Sequence, residues 1–442
     1  MLFKQLLQKY FSFQPDWAGK KNTYMKKSFN GNNVEICAPA GSWESLSAAI
    51  RASADSVYFG VEKLNMRARA SENFTAGDMA KISRICRKSG VKPYLALNTI
   101  IYDSDIPEMK RICDSAKSAG ISAIIASDIA AIEYASSINM PVHLSVQANV
   151  SNIEAVRFFA KFADVIILAR ELSLGQISGI VRAIEKEKII GPSGKPVRIE
   201  LFAHGALCVS ISGKCYMSLA AYDTSANRGD CYQPCRRRYI VKDEETGFEM
   251  AIDNQYVMSP KDLCTIRILD KILDAGVSVL KIEGRGRAPD YVSSVTGAYK
   301  KAAGLWNKGR FSISAAKKLE VGLESVFNRG FWHGGYYLGD KAGEWSGISG
   351  SAATLKKIHI GEILNYFHKA GIAEINLSAG GLETGDEILI TGHTTGARKM
   401  KIGSLRIEGK SAVRALKGQV ATFPTDFKTR KNDKVYLLVP SS

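Results

Sequence analysis

The sequence predicts a (β/α)8 barrel, and three observations favour this fold class. Short apolar segments recur from residue 34 to residue 285, and a turn and then a stretch of helical periodicity follow each one. The segments are rich in Val, Ile and Leu without alternating polarity, which is typical of parallel strands covered by helices. Eight such units in about 270 residues match the size of this barrel.

The eight predicted strands follow one another along the chain. A doubly wound open sheet is the main alternative, but no GxGxxG motif follows the first segment, where a dinucleotide-binding fold would carry it. With the number of the first residue of each, the segments are VEICAPAG (34), SVYFG (56), KPYLALN (92), AIIASD (123), VHLSVQAN (142), VIILARE (165), RIELFAHG (198) and VLKIEGR (279).

The regions around the barrel follow other patterns. Residues 34–345 are predicted to form the barrel with its trailing helices, and short alternating strands predict a small β-barrel or sandwich over residues 356–442. Residues 1–33 form a basic N-terminal extension without the apolar core of a secretory signal.

No apolar run reaches the roughly 18 residues of a membrane span. We therefore expect a cytoplasmic protein with no membrane partner.

The positive charge of the chain is concentrated at its two ends. The formal net charge is +17, of which residues 1–33 carry +5 and residues 356–442 carry +6. Basic peripheral elements suit a polyanion such as RNA. A solvated basic surface that aids solubility is the alternative.

Four of the eight cysteines fall within 28 residues, in a long insertion (205–265) between the seventh and eighth strands. An insertion after a barrel strand projects from the C-terminal face of the barrel, and clustered thiols in a reducing compartment indicate metal ligands or redox groups. The C-x6-C-x15-C-x3-C spacing is looser than the knuckles of structural zinc, which favours a [4Fe–4S] cluster over zinc or metal-free thiols. The four residues are Cys208, Cys215, Cys231 and Cys235.

The other four cysteines receive a different interpretation. Cys264, in the segment MSPKDLC, is a candidate replacement ligand. Cys37 lies within the first strand, and Cys86 and Cys113 fall on helical stretches, so we expect these three in the core.

Polar side chains follow most strands, at the end of the barrel where enzymes of this fold carry their chemistry. Alternate residues of a strand share a face, so Glu200, Phe202 and His204 are predicted to point together. His204 and Glu283 are the catalytic candidates, with a histidine that supports the metal ligands as the alternative for His204. Arginines bind carboxylates or phosphates through paired hydrogen bonds, unless they are solvated surface residues. The candidate substrate-binding residues are Arg67, Arg69, Asn98, Gln147, Asn149, Arg170, Lys281 and Arg285.

With these residues assembled, the chain resembles the collagenase-like peptidase superfamily, peptidase family U32. The resemblance rests first on ELFAHGALCVSISGKCYMS, which contains two of the clustered cysteines. It extends over roughly residues 34–340 through CAPAG, the R-x-R after the second strand, HLSVQANVSN, LARELSL, NRGDCYQPCRRRY, MSPKDL and LKIEGRGRAPDYV.

Members with this motif set are similar to tRNA hydroxylation proteins. The resemblance implies an enzyme that converts the wobble uridine of certain tRNAs to 5-hydroxyuridine without oxygen, with prephenate as the hydroxyl source. It also implies a [4Fe–4S] cluster on the four clustered cysteines, the tRNA anticodon loop as partner and arginines that bind the two carboxylates of prephenate. Relatives hydroxylate a cytidine of 23S ribosomal RNA or act in oxygen-independent ubiquinone synthesis.

Two other classes of function compete with this expectation. A peptidase needs an activated nucleophile or a metal-bound water, and the sequence contains neither HExxH nor GxSxG. A scaffold or RNA-binding module with a structural zinc would use the cysteines without catalysis.

Overall fold

The structure, a computed structural model, describes residues 34–69, 74–250, 258–340 and 344–441. The basic extension predicted for residues 1–33 lies outside them. All eight predicted strands form, and the last pairs in parallel with both the first and the seventh, so the sheet closes and the predicted barrel is confirmed. The barrel strands are β1 (Glu35–Pro39), β2 (Ser56–Phe59), β3 (Lys92–Leu97), β4 (Ala123–Ala126), β5 (Val142–Leu144), β6 (Val165–Ile167), β7 (Arg198–Gly205) and, after three short strands of the insertion, β11 (Val279–Ile282).

Helices cover the outside of the barrel. Several begin at a polar residue whose side chain accepts a backbone N–H of the first turn, as Ser42, Asp128 and Asn152 do. The helices are α1 (Trp43–Arg51), α2 (Met79–Lys88), α3 (Ile106–Ser118), α4 (Ile129–Ser137), α5 (Ile153–Phe159), α6 (Leu174–Glu187), α7 (Met217–Tyr222) in the insertion, α8 (Leu269–Asp274), α9 (Pro289–Asn307) and α10 (Ile313–Glu324). None of these described helices is both long and apolar enough to cross a membrane.

Two apolar layers stabilise the barrel. One fills the space between the sheet and the helices and includes Cys86 and Cys113, and the other fills the barrel interior and includes Cys37. All three cysteines are buried, as the sequence predicts. Because the interior is filled by side chains, a ligand can enter only at the mouth of the barrel.

The insertion contributes three short strands, one of which joins the barrel sheet. A short hairpin pairs β8 (Val241–Lys242) with β9 (Glu249–Met250). Next, β10 (Asp262–Cys264) pairs antiparallel with the end of β7 and parallel with β12 (Phe331–His333). The barrel sheet therefore extends sideways at β7, next to the cysteine segment.

The C-terminal region is rich in β-strands, as predicted, and has a hydrophobic core of its own. It packs on the barrel: the Cα of Gly396 approaches α1 so closely that a β-carbon there would lie 2.8 Å from the backbone nitrogen of Ala48. The strands are β13 (Leu355–Phe367), β14 (Ile372–Asn376), β15 (Leu382–Glu383), β16 (Glu387–Gly392), β17 (Gly396–Lys401), β18 (Leu405–Ile407), β19 (Lys410–Ala412), β20 (Arg414–Ala415), β21 (Val420–Pro424) and β22 (Lys434–Pro440). Eight of them form one antiparallel sheet in the order β17-β16-β22-β13-β14-β21-β18-β19.

Candidate active site at the barrel mouth

A cavity of about 160 Å³ lies at the C-terminal end of the barrel strands. Barrel residues form its floor and the insertion forms its roof. All four clustered cysteines line it, which places them where the sequence predicts. Cys264, the candidate replacement ligand, does not line it but is buried beside β7.

Arg236 joins the two ends of the cysteine segment. Its guanidinium donates to the carbonyl oxygens of Leu207 and Pro260, each at 2.6 Å, and to the hydroxyl of Ser259 at 3.0 Å. Leu207 precedes Cys208 and Arg236 follows Cys235 in the chain. These hydrogen bonds therefore hold two cysteines that are far apart in sequence at the same side of the cavity.

A second anchor fixes the middle of the segment to the barrel loops. Arg228 forms an ion pair with Asp105 and donates to the carbonyl of Ile100 at 2.9 Å. The next residue, Gly229, lies so close to the loop after β2 that a β-carbon would meet the carbonyl oxygen of Asn65 at 2.4 Å. Its φ of +93° also favours glycine. The anchor positions Cys231, two residues further along, over the barrel mouth.

The four thiols line the same cavity, but their sulfur atoms are not clustered closely. In the described part of the chain, no three of their sulfur atoms lie within 4.8 Å of one another. Burial raises the pKa of Cys235 to about 11, against the opposing effect of the neighbouring Arg236 guanidinium. A bound metal reverses this effect, because a coordinating thiol is deprotonated.

Arginines form one wall of the cavity. Arg67 pairs with Glu283 at 2.8 Å, and Arg170 stacks over the ring of Phe202 at 4.4 Å. Nη1 of Arg285 and Nε of Arg170 are buried and have no hydrogen-bond partner among the described residues. Burial lowers the pKa of Arg285 to about 10, so the group stays positively charged at neutral pH.

Gly60 makes room for the Arg285 guanidinium. A β-carbon at this position, just after β2, would lie 2.3 Å from Nη1 of Arg285. The glycine is therefore needed for the close approach of the guanidinium and not for an unusual backbone angle.

Glu283 is an anion in this setting. Burial alone would raise the pKa of its carboxyl group, but Arg67, Arg287 and Arg170 outweigh burial and lower it. At neutral pH the residue can accept a proton or a hydrogen bond, and it has none to donate.

The floor and the opposite wall of the cavity are polar. Lys281 donates to Glu200 at 2.7 Å and lies 4.5 Å from the centre of the Tyr58 ring. On the wall, the amide nitrogen of Asn98 is 3.3 Å from Oε1 of Gln147, which also accepts from Ser145. These amides offer hydrogen bonds to an uncharged planar ligand.

His204 lies outside the cavity, which corrects the prediction that it shares a face with Glu200 and Phe202. The register of β7 against β11 shifts between Phe202 and His204, and this bulge turns the imidazole outward. There it packs against Tyr291, Tyr299 and Phe331, and burial lowers its pKa to about 3. A neutral, enclosed histidine in this position cannot act as an acid or base in the cavity.

Two predicted binding residues also lie apart from the cavity lining. Asn149 follows a 3-10 turn and adopts a left-handed conformation with φ of +54°. Arg69 is exposed, and its guanidinium stacks on the ring of Tyr232 at 3.9 Å. The remaining candidates line the cavity: Arg67, Asn98, Gln147, Arg170, Lys281, Glu283 and Arg285.

Sequence reasoning missed a second group of arginines behind the cysteines. A cavity of about 260 Å³ on that side is lined by Arg236, Arg287 and Arg329 together with Cys208 and Cys235. The buried carboxylate of Asp262 lies 3.8 Å from Arg287 and 3.4 Å from Arg329. The run of arginines after Cys235 was the available signal for Arg236, but Arg287, Arg329 and their common partner Asp262 are distant from it in sequence.

The thiols, arginines and carboxylate lie at the C-terminal face of a closed barrel. Enzymes with this barrel fold carry their active sites at that face. Residues 41–347 match the family described as Peptidase family U32, and the chain belongs to this family.

Relatives in this family carry different names. A protein named "Collagenase" from Porphyromonas gingivalis is 53% identical over 92% of this chain and 98% of its own length. "tRNA hydroxylation protein P1" of Bacillus subtilis is 33% identical over 62% of this chain and 64% of its own length. "23S rRNA 5-hydroxycytidine C2501 synthase" of Escherichia coli is 31% identical over 68% of this chain and 45% of its own length. Named relatives thus include both peptidases and RNA hydroxylases.

Proposed function

We propose that this protein is an oxygen-independent tRNA hydroxylase that forms 5-hydroxyuridine at the wobble position, with a [4Fe–4S] cluster and with prephenate as hydroxyl donor. The observation that carries the proposal is the position of four thiols from one insertion over the same cavity as the unpartnered arginine nitrogens. Relatives named as tRNA and rRNA hydroxylation enzymes support it.

The arrangement of the thiols favours a cluster over a single zinc ion. Tetrahedral zinc with bonds of about 2.3 Å would bring its sulfur ligands to roughly 3.8 Å from one another. No three of these described sulfurs lie within 4.8 Å, whereas a four-iron cluster spreads its four thiolates over a larger core. Once bound by the four cysteines, such a cluster supplies a redox-active iron centre at the barrel mouth.

The arginine wall suits a small dicarboxylate. Nη1 of Arg285 and Nε of Arg170 are buried cationic donors that lack a protein partner in the described structure, so a carboxylate would relieve the cost of their burial. Prephenate carries two carboxylates. The Arg67–Glu283 pair lines the same cavity as the cysteines and would orient the co-substrate and hold a negative charge near it.

The opposite wall suits a nucleobase. Chemistry on a pyrimidine ring needs an unstacked base, and an anticodon loop presents one. A neighbouring cavity of about 410 Å³ shares Asn98 and Gln147 with the first, and Tyr216 on its rim is 77% exposed. An exposed aromatic ring stacks bases, and the two amides would hydrogen-bond the edge of the base.

The β-rich C-terminal region would hold the RNA backbone. A basic cavity of about 270 Å³ lies between α1 and this region and contains Arg51, Arg398, Lys428 and Arg430. Burial lowers the pKa of Arg51, and the positive charges of Arg398 and Arg430 lower it further. A phosphate would neutralise this crowding of cations.

A peptidase is the second candidate, since the relative that is 53% identical is named "Collagenase". Peptide hydrolysis needs an activated nucleophile or a metal-bound water. Yet none of the described residues that line the cavity is a histidine, and Glu283 is already paired with Arg67.

The test is nucleoside mass spectrometry of RNA from cells that lack this protein. We expect loss of 5-hydroxyuridine and its derivatives from tRNA, restored by the parent gene and by a Cys113→Ser control, but not by Cys208→Ser. Anaerobically purified parent and control should be brown, and Cys208→Ser should not be.

Other outcomes identify other functions. Unchanged tRNA with loss of a hydroxylated cytidine from 23S rRNA would move the activity to ribosomal RNA. Unchanged RNA together with hydrolysis of collagen peptides by the purified protein would establish the peptidase.

A further inference from the structure

A second set of ligand-type side chains lies beside the barrel, on the strands that extend the sheet. Cys264 ends β10, His333 ends β12 and Glu320 lies on α10. One atom from each lies within 4.8 Å of the others. We propose that these three residues bind a zinc ion, separate from the four cysteines of the barrel mouth.

The spacing of the donor atoms fits one ion. Nε2 of His333 is 3.3 Å from Oε1 of Glu320. Two ligands bound tetrahedrally at about 2.0–2.1 Å from zinc lie roughly 3.3 Å apart. The sulfur of Cys264 lies within 4.8 Å of the other two ligand atoms, so a shift of at most about 1 Å brings it to a zinc–sulfur bond of about 2.3 Å.

The carboxylate has an unused atom at this place. The side chain of Glu320 is only 3% exposed, and its buried Oε1 has no hydrogen-bond partner among the described residues. Its other oxygen, Oε2, accepts from Nε of Arg267 at 2.6 Å, which fixes the orientation of the group. The 3.3 Å contact with His333 is not a hydrogen bond, so this oxygen is free to bind an ion.

The chemistry of the three donors selects the class of ion. Thiolate, imidazole and carboxylate together suit zinc better than the oxygen-preferring magnesium or calcium. Three protein ligands leave a fourth position for water. Water can reach this position because the side chain of His333 is 33% exposed. The ion would tie α10 to the β10–β12 strands that flank the cysteine segment.

The test is metal analysis of the anaerobically purified protein with its cluster in place. We expect one zinc per chain in the parent, loss of that zinc in His333→Gln, and the same iron content in both. The substitution is at a partly exposed position and leaves the core intact. His359→Gln, a histidine of β13 that packs on Tyr436, is the matched control and should keep the zinc.

Cobalt substitution and a chelator separate this site from the cluster and from an ion pair. Cobalt should give a thiolate charge-transfer band in the parent that disappears in Cys264→Ser and not in Cys113→Ser. A chelator should lower the melting temperature of the parent and leave that of His333→Gln unchanged. Equal zinc in the parent and His333→Gln, or a parent that binds neither zinc nor cobalt here, would overturn the proposal. RNA modification plays no part in these readouts.

Discussion

At the scale of single residues, the charged side chains at the barrel mouth are of two kinds, those with a charged partner and those with an unpartnered buried nitrogen. Arg67 and Glu283 neutralise each other, as do Lys281 and Glu200. Arg285 keeps one buried nitrogen without a partner in the described structure, and a buried donor of this kind is expensive unless a ligand binds it. Under the proposed function, residues of the second kind are the expected contacts of the co-substrate, because the paired charges already have partners within the protein.

Replacement of Arg285 by lysine tests this view. Lysine keeps the charge but loses the planar donors, so we expect the KM for the proposed dicarboxylate to rise roughly 10- to 100-fold with a smaller change in kcat, since a hydrogen bond to a charged group contributes about 1.5–3 kcal/mol. Steady-state kinetics at varied co-substrate concentration measure the changes in KM and kcat separately. Arg182→Lys, on the exposed face of α6, is the control. An unchanged KM would show that Arg285 does not bind the co-substrate.

A buried carboxylate at the opposite end of the barrel controls stability at low pH. Burial alone would raise the pKa of Glu35, but Arg198 at 2.8 Å and a hydrogen bond from Tyr94 outweigh it and lower the pKa from 4.5 to about 2. Because the folded pKa lies below the unfolded value, this stabilisation is complete above pH 4.5 and is lost as the pH falls towards 2.

Glu35→Gln should remove that pH dependence. Between pH 4.5 and 2, we expect the free energy of unfolding of the parent to fall by about 3 kcal/mol more than that of the variant. Urea unfolding at a series of pH values measures the difference. Glu133→Gln, exposed on α4, should follow the parent curve. Parallel curves for the parent and Glu35→Gln would contradict the prediction.

At the scale of elements, the described part of the insertion depends on its anchors, because its regular elements are short. Between β7 and β10 the described residues form the six-residue helix α7, two 3-10 helices of three residues each and a hairpin with two-residue strands. Arg236 and Arg228 instead hold it to neighbouring loops through backbone carbonyls and Asp105. Correct positions for the four thiols therefore depend on a few side chains that are not themselves ligands.

Arg236→Gln should loosen the cysteine segment without removing a thiol. Each broken bond to the charged group costs about 1.5–3 kcal/mol, so we expect the iron of the proposed cluster to leave at least tenfold faster in the presence of a chelator. Absorbance of the cluster against time measures the loss. Arg237→Gln, the next residue, is exposed and is the control. Equal rates for both variants would show that Arg236 does not position the cysteines.

At the scale of the whole molecule, basic residues are spread over both the barrel and the C-terminal region. Arg51 belongs to α1, and Arg398 and Arg430 belong to the β-rich region packed against it. A hydrogen bond from Arg51 to the carbonyl of Thr394 at 2.9 Å joins the two. A phosphate bound here would contact both parts of the chain.

The double charge reversal Arg398→Glu with Arg430→Glu tests RNA binding at this surface. If two phosphate contacts are lost, the slope of log K against log salt should become shallower by about 1.4, with weaker tRNA binding at every salt concentration. Binding measured between low and moderate salt gives the slope. Lys410→Glu with Arg414→Glu makes the same charge change on β19 and β20. If the control weakens binding equally, net charge and not this surface explains the effect.

The sequence by itself determined the eight strands, the closure of the barrel and the position of the cysteine insertion, because each depends on local apolar patterns and on the order of elements. Besides the cysteines, it identified seven residues of the cavity lining, since polar residues that follow barrel strands meet at the C-terminal face. Only the tertiary structure decided that His204 turns away, because one bulge in β7 reverses the face of every residue after it. It alone brought Cys264 next to Glu320 and His333, because β10 and β12 are far apart along the chain and pair only in the folded sheet.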